Sequence, residues 1–147
     1  MVAVSKVAKG YILKPIQFEE SSRERLNIFQ DSNELDRIPL CEPNSPYGET
    51  LYLESEGKIL GVASAIKNGI HPKFDHLYLA VPGWEQEITS ILLEGLKRHR
   101  GKEANPLQIL IKEADVEKQK LFTDSQGFSL IPATAQKLIR IAVLIIS

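Results

Sequence analysis

Between His76 and Ile111 the apolar residues change period twice, and that change constrains the fold more than any composition figure. His76-Leu77-Tyr78-Leu79-Ala80-Val81 reads as a strand, ended by Pro82-Gly83. From Trp84 the apolar positions Trp84, Ile88, Ile91, Leu92 and Leu96 fall at helical spacing. Lys97, Arg98 and Arg100 crowd the final turn with Gly101 behind it, as helix C-termini favour. After Pro106 comes a second short apolar strand, Leu107-Gln108-Ile109-Leu110-Ile111. A strand, a crossover helix and a strand in that order imply parallel neighbours in one sheet.

The flanking segments read differently. Tyr11 to Ile16 is rich in strand formers, and Pro15 suits an edge or a strand end. Ser21-Ser22-Arg23-Glu24 matches a capping box, predicting a helix from about Ser22 to Gln30 with Leu26 and Phe29 on one face. Residues 31–48 hold three prolines and form a loop, with a short helical turn expected around Leu35. Leu51–Ser55 and Lys58–Ile66 form a hairpin about Glu56-Gly57, and Asn68-Gly69 and His71-Pro72 mark a further loop. Asp115 caps a helix running to about Gln126, where Gly127 stops it. Phe128–Ile131 is a strand, and Lys137–Ile146 a last strand returning beside it. The predicted order is β-α-β-β-β-α-β-α-β-β, whose strand–helix–strand steps in the middle imply parallel neighbours there, with antiparallel hairpins on either side. This is an α+β or α/β fold with a mixed, mostly antiparallel central sheet flanked by helices, in one domain over residues 1–147.

Composition excludes several function classes. With 18 Lys+Arg against 19 Asp+Glu, the chain lacks the basic footprint of a nucleic-acid binder. Its nine glycines are never closer than four residues apart, so neither GxGxxG nor GxxxxGK[ST] is present. Cys41 is alone, allowing no internal disulfide, which fits a cytoplasmic location. The first ten residues lack the apolar core of a signal peptide, and Leu138–Ile146 is too short to span a bilayer, so no membrane partner is expected. His71, His76 and His99 have no His or Cys partner at ligand spacing, so no metal site is expected. Ser45 and Ser64 sit in no nucleophile motif. The cluster Lys97-Arg98-His99-Arg100-Gly101-Lys102 reads as a solvated helix end rather than a phosphate dock.

Three stretches in order carry a family resemblance. They are the hairpin Tyr52 to Ala63, the strand Leu77-Tyr78-Leu79-Ala80-Val81-Pro82 with the Leu92-Leu93-Glu94-Gly95-Leu96 helix behind it, and Leu121-Phe122-Thr123-Asp124-Ser125-Gln126-Gly127-Phe128. Together, over roughly Tyr11 to Ile146, they resemble the GCN5-related N-acetyltransferase (GNAT) superfamily. The resemblance implies acetyl-CoA as the cofactor. Its pantetheine arm would pair with the backbone of Leu79, Ala80 and Val81, and its diphosphate would lie over Trp84, Gln86, Glu87, Ile88 and Thr89. Anion capture there would use the free amides and dipole of a helix N-terminus.

The sequence departs from the family pattern at two places. The positions that carry glycines in the family's diphosphate turn fall near Glu85, Glu87 and Thr89, and Gly83 is the one glycine in the turn. Thr123 stands where the family often places a tyrosine general acid, while Phe122 beside it reads as core. Asp75 and His76 occupy the neighbourhood of the general base, and an imidazole is well suited to take up a proton near neutral pH. Two functions remain open. One is acetyl transfer from a CoA thioester to a small-molecule or protein amine. The other is a non-catalytic GNAT-like binding or assembly module that has lost acetyl-CoA binding. Ile141 to Ile146 is apolar on both faces, which suggests cover from a partner in a homodimer through this last strand.

Overall fold

The protein is described by a computed structural model covering residues 5–6, 10–15, 20–67, 75–100, 105–112, 117, 120–125, 129–131 and 141–146. Its strands are β1 (Ser5–Lys6), β2 (Tyr11–Pro15), β3 (Gly48–Ser55), β4 (Lys58–Lys67), β5 (Asp75–Ala80), β6 (Leu107–Lys112), β7 (Ser129–Ile131) and β8 (Ile141–Ile146). Helix α1 is Glu20–Ser32 and α2 is Gln86–Arg100. The strands form one sheet in the order β1-β2-β3-β4-β5-β6-β8-β7. Among the described strands β5 and β6 are the one parallel pair of neighbours, as the first strand–helix–strand step implies. The second step does not give neighbours, because β8 lies between β6 and β7, and the other pairings are antiparallel.

Alternation along the strands sends successive side chains to opposite faces. Leu51, Leu53, Ala63, Ala65, Leu77, Val81, Leu107 and Ile109 face α2 and pack on Leu92, Leu93 and Leu96. Tyr52, Val62 and Ala80 face the other way, onto Leu26 and Phe29 of α1. The β3–β4 hairpin turns through Glu56 (φ 51°) and Gly57 (φ 79°), with Ser55 paired to Lys58. Two left-handed residues in a two-residue loop match the twist of the flanking strands.

Several expectations need correction. The short strand β1 was not read from the sequence. Helix α1 starts at Glu20, so Ser21 lies inside its first turn instead of ahead of it. Leu35 is not helical; it lies beyond the turn at residues 33–34, packed against the α1-side core. The segment before Gly127 carries a π-helical turn, Leu121–Ser125, with Phe122 fully buried as expected. The last strand is an interior one. β8 pairs with β6 along one edge and, over Val143–Ile145, with β7 along the other, so it is not a free sheet edge. Residues 68–74, 101–104 and 132–140, with His71 and Gly101 among them, lie outside the described residues. No helix among the described residues is long and apolar enough to cross a membrane.

Candidate functional site

The sheet opens between its two parallel strands. β5 pairs with β4 along its whole length, from Asp75 to Ala80. On its other edge, among the described residues, pairing with β6 stops after Asp75↔Leu107 and His76↔Gln108. β6 meanwhile pairs with β8 from Leu107 to Lys112. The backbone from Leu77 onward thus turns an edge toward a V-shaped opening with His76 at its vertex.

Alternation divides the predicted site residues between the faces. His76, Tyr78 and Ala80 project to the α1 side, while Asp75, Leu77, Leu79 and Val81 project to the α2 side. His76 is half-buried, and Tyr78, on the same face, is 37% exposed, with its ring centroid 6.3 Å from that of His76. Asp75, the other general-base candidate, is committed elsewhere. Its carboxylate accepts from the Arg100 guanidinium and from Asn105 Nδ2 at 3.2 Å, and Arg100 also donates to the Asn105 carbonyl at 3.0 Å. Asp75 and Arg100 side chains are each only 6% exposed. Arg100 is therefore not part of a solvated basic cluster; it is half of a buried ion pair. His99 turns to Glu49, with Nε2 3.2 Å from Oε2.

The α1 face of the opening is bordered by the loop after α1. Ser64 Oγ donates to the Pro39 carbonyl at 2.6 Å, Thr50 and Ser64 hydroxyls are 2.7 Å apart, and Cys41 N donates to Thr50 Oγ1 at 2.7 Å. Gln30 reinforces this, its buried Oε1 accepting from Ile38 N at 2.7 Å. These bonds fix the loop on the sheet. Burial pushes the Cys41 thiol up from its ordinary value, against smaller lowering by Thr50 and Arg23, and the residue packs as part of the buried core.

At the far end of β5 the chain turns sharply into α2. Pro82–Trp84 is a single 3-10 turn, with Gly83 at φ 64° and Trp84 at φ 53°. Helix α2 accordingly starts at Gln86, after Trp84 and not at it. The Trp84 ring meets Phe122 edge-on, centroids 5.8 Å apart, and packs against the core under α2. Gln86 is exposed, Glu87 and Ile88 are half-buried, and Thr89 is buried.

Glu85 is the N-cap. Its carboxylate accepts from the amide of Glu87 through Oε1 at 3.0 Å and of Ile88 through Oε2 at 3.1 Å. Its carbonyl accepts from Thr89 N at 3.0 Å and Thr89 Oγ1 at 2.8 Å. Trp84 N donates to the Val81 carbonyl at 3.1 Å. Capping satisfies the amides that the first helical turn leaves without partners, and negative charge suits the dipole.

Acetyl-CoA, as the sequence resemblance implies, can be tested against these residues. The unpaired edge of β5 suits the amides of a pantetheine arm, and a Cβ at Gly83 would meet nothing within 4 Å. The diphosphate fits poorly. Glu85 holds the amides of Glu87 and Ile88, and the sequence from Val81 to Leu96 contains no Lys, Arg or His. Sequence reasoning placed Glu85 in the turn but not as the cap, and overlooked Tyr78. The signals were present: a carboxylate immediately before a helix, and a tyrosine two residues from His76 on one strand face. Among the described residues no group of His, Cys, Asp and Glu is arranged to hold a metal.

A mixed sheet opened at a parallel pair, with a helix N-terminus at the mouth, is the architecture of the GNAT fold. Comparison with solved structures agrees. The chain is similar to the GNAT domain of S. lividans PAT (TM-score 0.71, 16% identity, 99% of this chain and 96% of that one). It is similar to the Salmonella typhimurium acetyltransferase that modifies the N-terminal serine of ribosomal protein L7/L12 (TM-score 0.66, 15% identity, 97% and 96%). It is also similar to the diaminobutyrate acetyltransferase EctA from Paenibacillus lautus, solved with its substrate and coenzyme A (TM-score 0.63, 15% identity, 93% and 94%). No family model and no curated protein sequence matches the chain. The protein has the GNAT fold.

Proposed function

We infer that this GNAT-fold protein is an N-acyltransferase, moving an acyl group from a thioester to an amine. The observation that carries the reading is the early end of β5–β6 pairing, which leaves a backbone edge beside His76 for the amide-bearing arm of an acyl thioester. The amine approaches from the α1 face, where His76 and Tyr78 project and the pinned 33–47 loop forms a border. Attack by the amine nitrogen forms the new N–C bond as the C–S bond breaks. His76 takes the proton that the nitrogen loses, and the leaving thiolate acquires one in turn. Asp75 does not act as the base, because Arg100 and Asn105 occupy its carboxylate; it fixes the start of β5 behind His76.

Transfer is tested by thiol release from acetyl thioesters in the presence of a panel of small amines and N-terminal peptides. His76→Gln lowers kcat by about 10²-fold if the imidazole is the base. No thiol release above buffer with any amine refutes the reading. A second reading is a non-catalytic GNAT-like binding module, and the Glu85 cap favours it by closing the diphosphate position. No heat on calorimetric titration with acetyl-CoA, together with no thiol release, would decide for it.

A further inference from the structure

We propose that Glu85 sets the donor class of this site, excluding nucleotide-bearing thioesters in favour of an acyl-pantetheine thioester without a diphosphate. The inference rests on the acyl-donor reading above. In this chain the anion at the start of α2 is already supplied from within. The Glu85 carboxylate receives two helix amides, 3.0 and 3.1 Å away, and its own backbone carbonyl closes the next turn through Thr89. The amides of Trp84, Glu87, Ile88 and Thr89 are thereby all committed. A diphosphate arriving here would have to displace Glu85 from both bonds and then lie beside its charge.

Along α2 itself no compensating charge stands near the cap. Glu87 adds a second carboxylate in the first helical turn, and the nearest basic residue along α2 is Lys97, three helical turns on. None of this opposes a neutral arm. The β5 edge from Leu77 onward offers backbone donors and acceptors to amide groups, which need no charge to pair with a strand. Anion repulsion at one end and an open neutral slot at the other make the two parts of a CoA thioester behave differently.

The experiment compares acetyl-CoA with S-acetylpantetheine by calorimetric titration of the whole protein. Three variants accompany the natural chain: Glu85→Ser, which keeps an N-cap hydroxyl without the charge, Glu85→Asp, which keeps both, and Glu85→Gln, which keeps the size. The natural protein and Glu85→Asp are expected to bind acetyl-CoA no tighter than S-acetylpantetheine. Glu85→Ser and Glu85→Gln are expected to bind acetyl-CoA at least tenfold tighter than the natural protein does, with S-acetylpantetheine unchanged within twofold. Natural protein that prefers acetyl-CoA tenfold or more, or a ratio that Glu85→Ser leaves unmoved, overturns the proposal. Glu85-dependent selectivity without acyl transfer upholds it while removing the transferase reading. Binding of neither thioester to any variant removes the arm's slot, and the donor assignment with it.

Discussion

Replacing Arg100 with methionine tests whether Asp75 is held for structure. Both side chains are 6% exposed, and after the change the Asp75 carboxylate keeps only the Asn105 amide, 3.2 Å away. Breaking a buried pair on one side typically costs about 3–5 kcal/mol, because a charge is left without its partner. At roughly 2–4 °C per kcal/mol for a chain of this size, Tm falls by about 6–20 °C. Urea unfolding measures the loss, and the Asp75→Leu/Arg100→Met double variant should recover most of it. A single-variant deficit below about 1 kcal/mol, the size seen for exposed pairs, would refute the argument.

Three other outcomes follow from local chemistry. Burial pushes the Glu49 carboxyl above its ordinary value, with Asp75 adding to the rise and His99, Arg100 and Lys67 opposing it. Its Oε2 is buried without a hydrogen bond, since His99 Nε2 is close enough for ion pairing but off a bonding line. The folded chain thus binds this proton more tightly, and stability falls as pH rises above the ordinary glutamate range; Glu49→Gln should gain about 1 kcal/mol at pH 7.5 in urea unfolding and lose that slope. Glu54 behaves oppositely. Burial raises its carboxyl, but Lys14 (2.5 Å) and Arg25 (3.3 Å) outweigh burial and hold it below the ordinary value, so its contribution is present above that range and lost as pH falls through the lowered one. Lys14→Met should flatten the acid limb of the unfolding curve. Glu56→Asn, placing a residue suited to left-handed backbone at φ 51°, should raise stability by about 0.5–1 kcal/mol in thermal unfolding.

Much of the fold was legible because period and punctuation are local. The switch from alternating to helical spacing at Pro82-Gly83 marked the β5–α2 junction, and the Pro106 run marked β6, which together required the one parallel pair. Glu56-Gly57 likewise announced the hairpin. Helix starts were less exact, because Ser21, read as the first residue of a capping box, falls inside α1, while Glu85, outside the common capping residues, caps α2. The place of β8 was not legible. An apolar strand at the end of a chain reads the same at an edge as in the interior, and only its pairing with β6 and β7 distinguishes them.

By itself the sequence determined that a mixed sheet would form with a crossover helix after Pro82-Gly83, and that the turn before that helix holds a single glycine. Both are properties of neighbouring residues: repeat distance in one case, residue identity in the other. The tertiary structure alone decided which candidate side chains meet. Asp75 and His76 are adjacent in sequence, yet the pleat sends one to Arg100 under α2 and the other to the vertex of the opened sheet. It also decided what meets the first amides of α2. The positive-φ turn through Gly83 and Trp84 brings Glu85 to the N-cap, where its carboxylate meets the two helix amides. Side-chain direction and backbone turn depend on the folded chain, and on them rests the chemistry of this site.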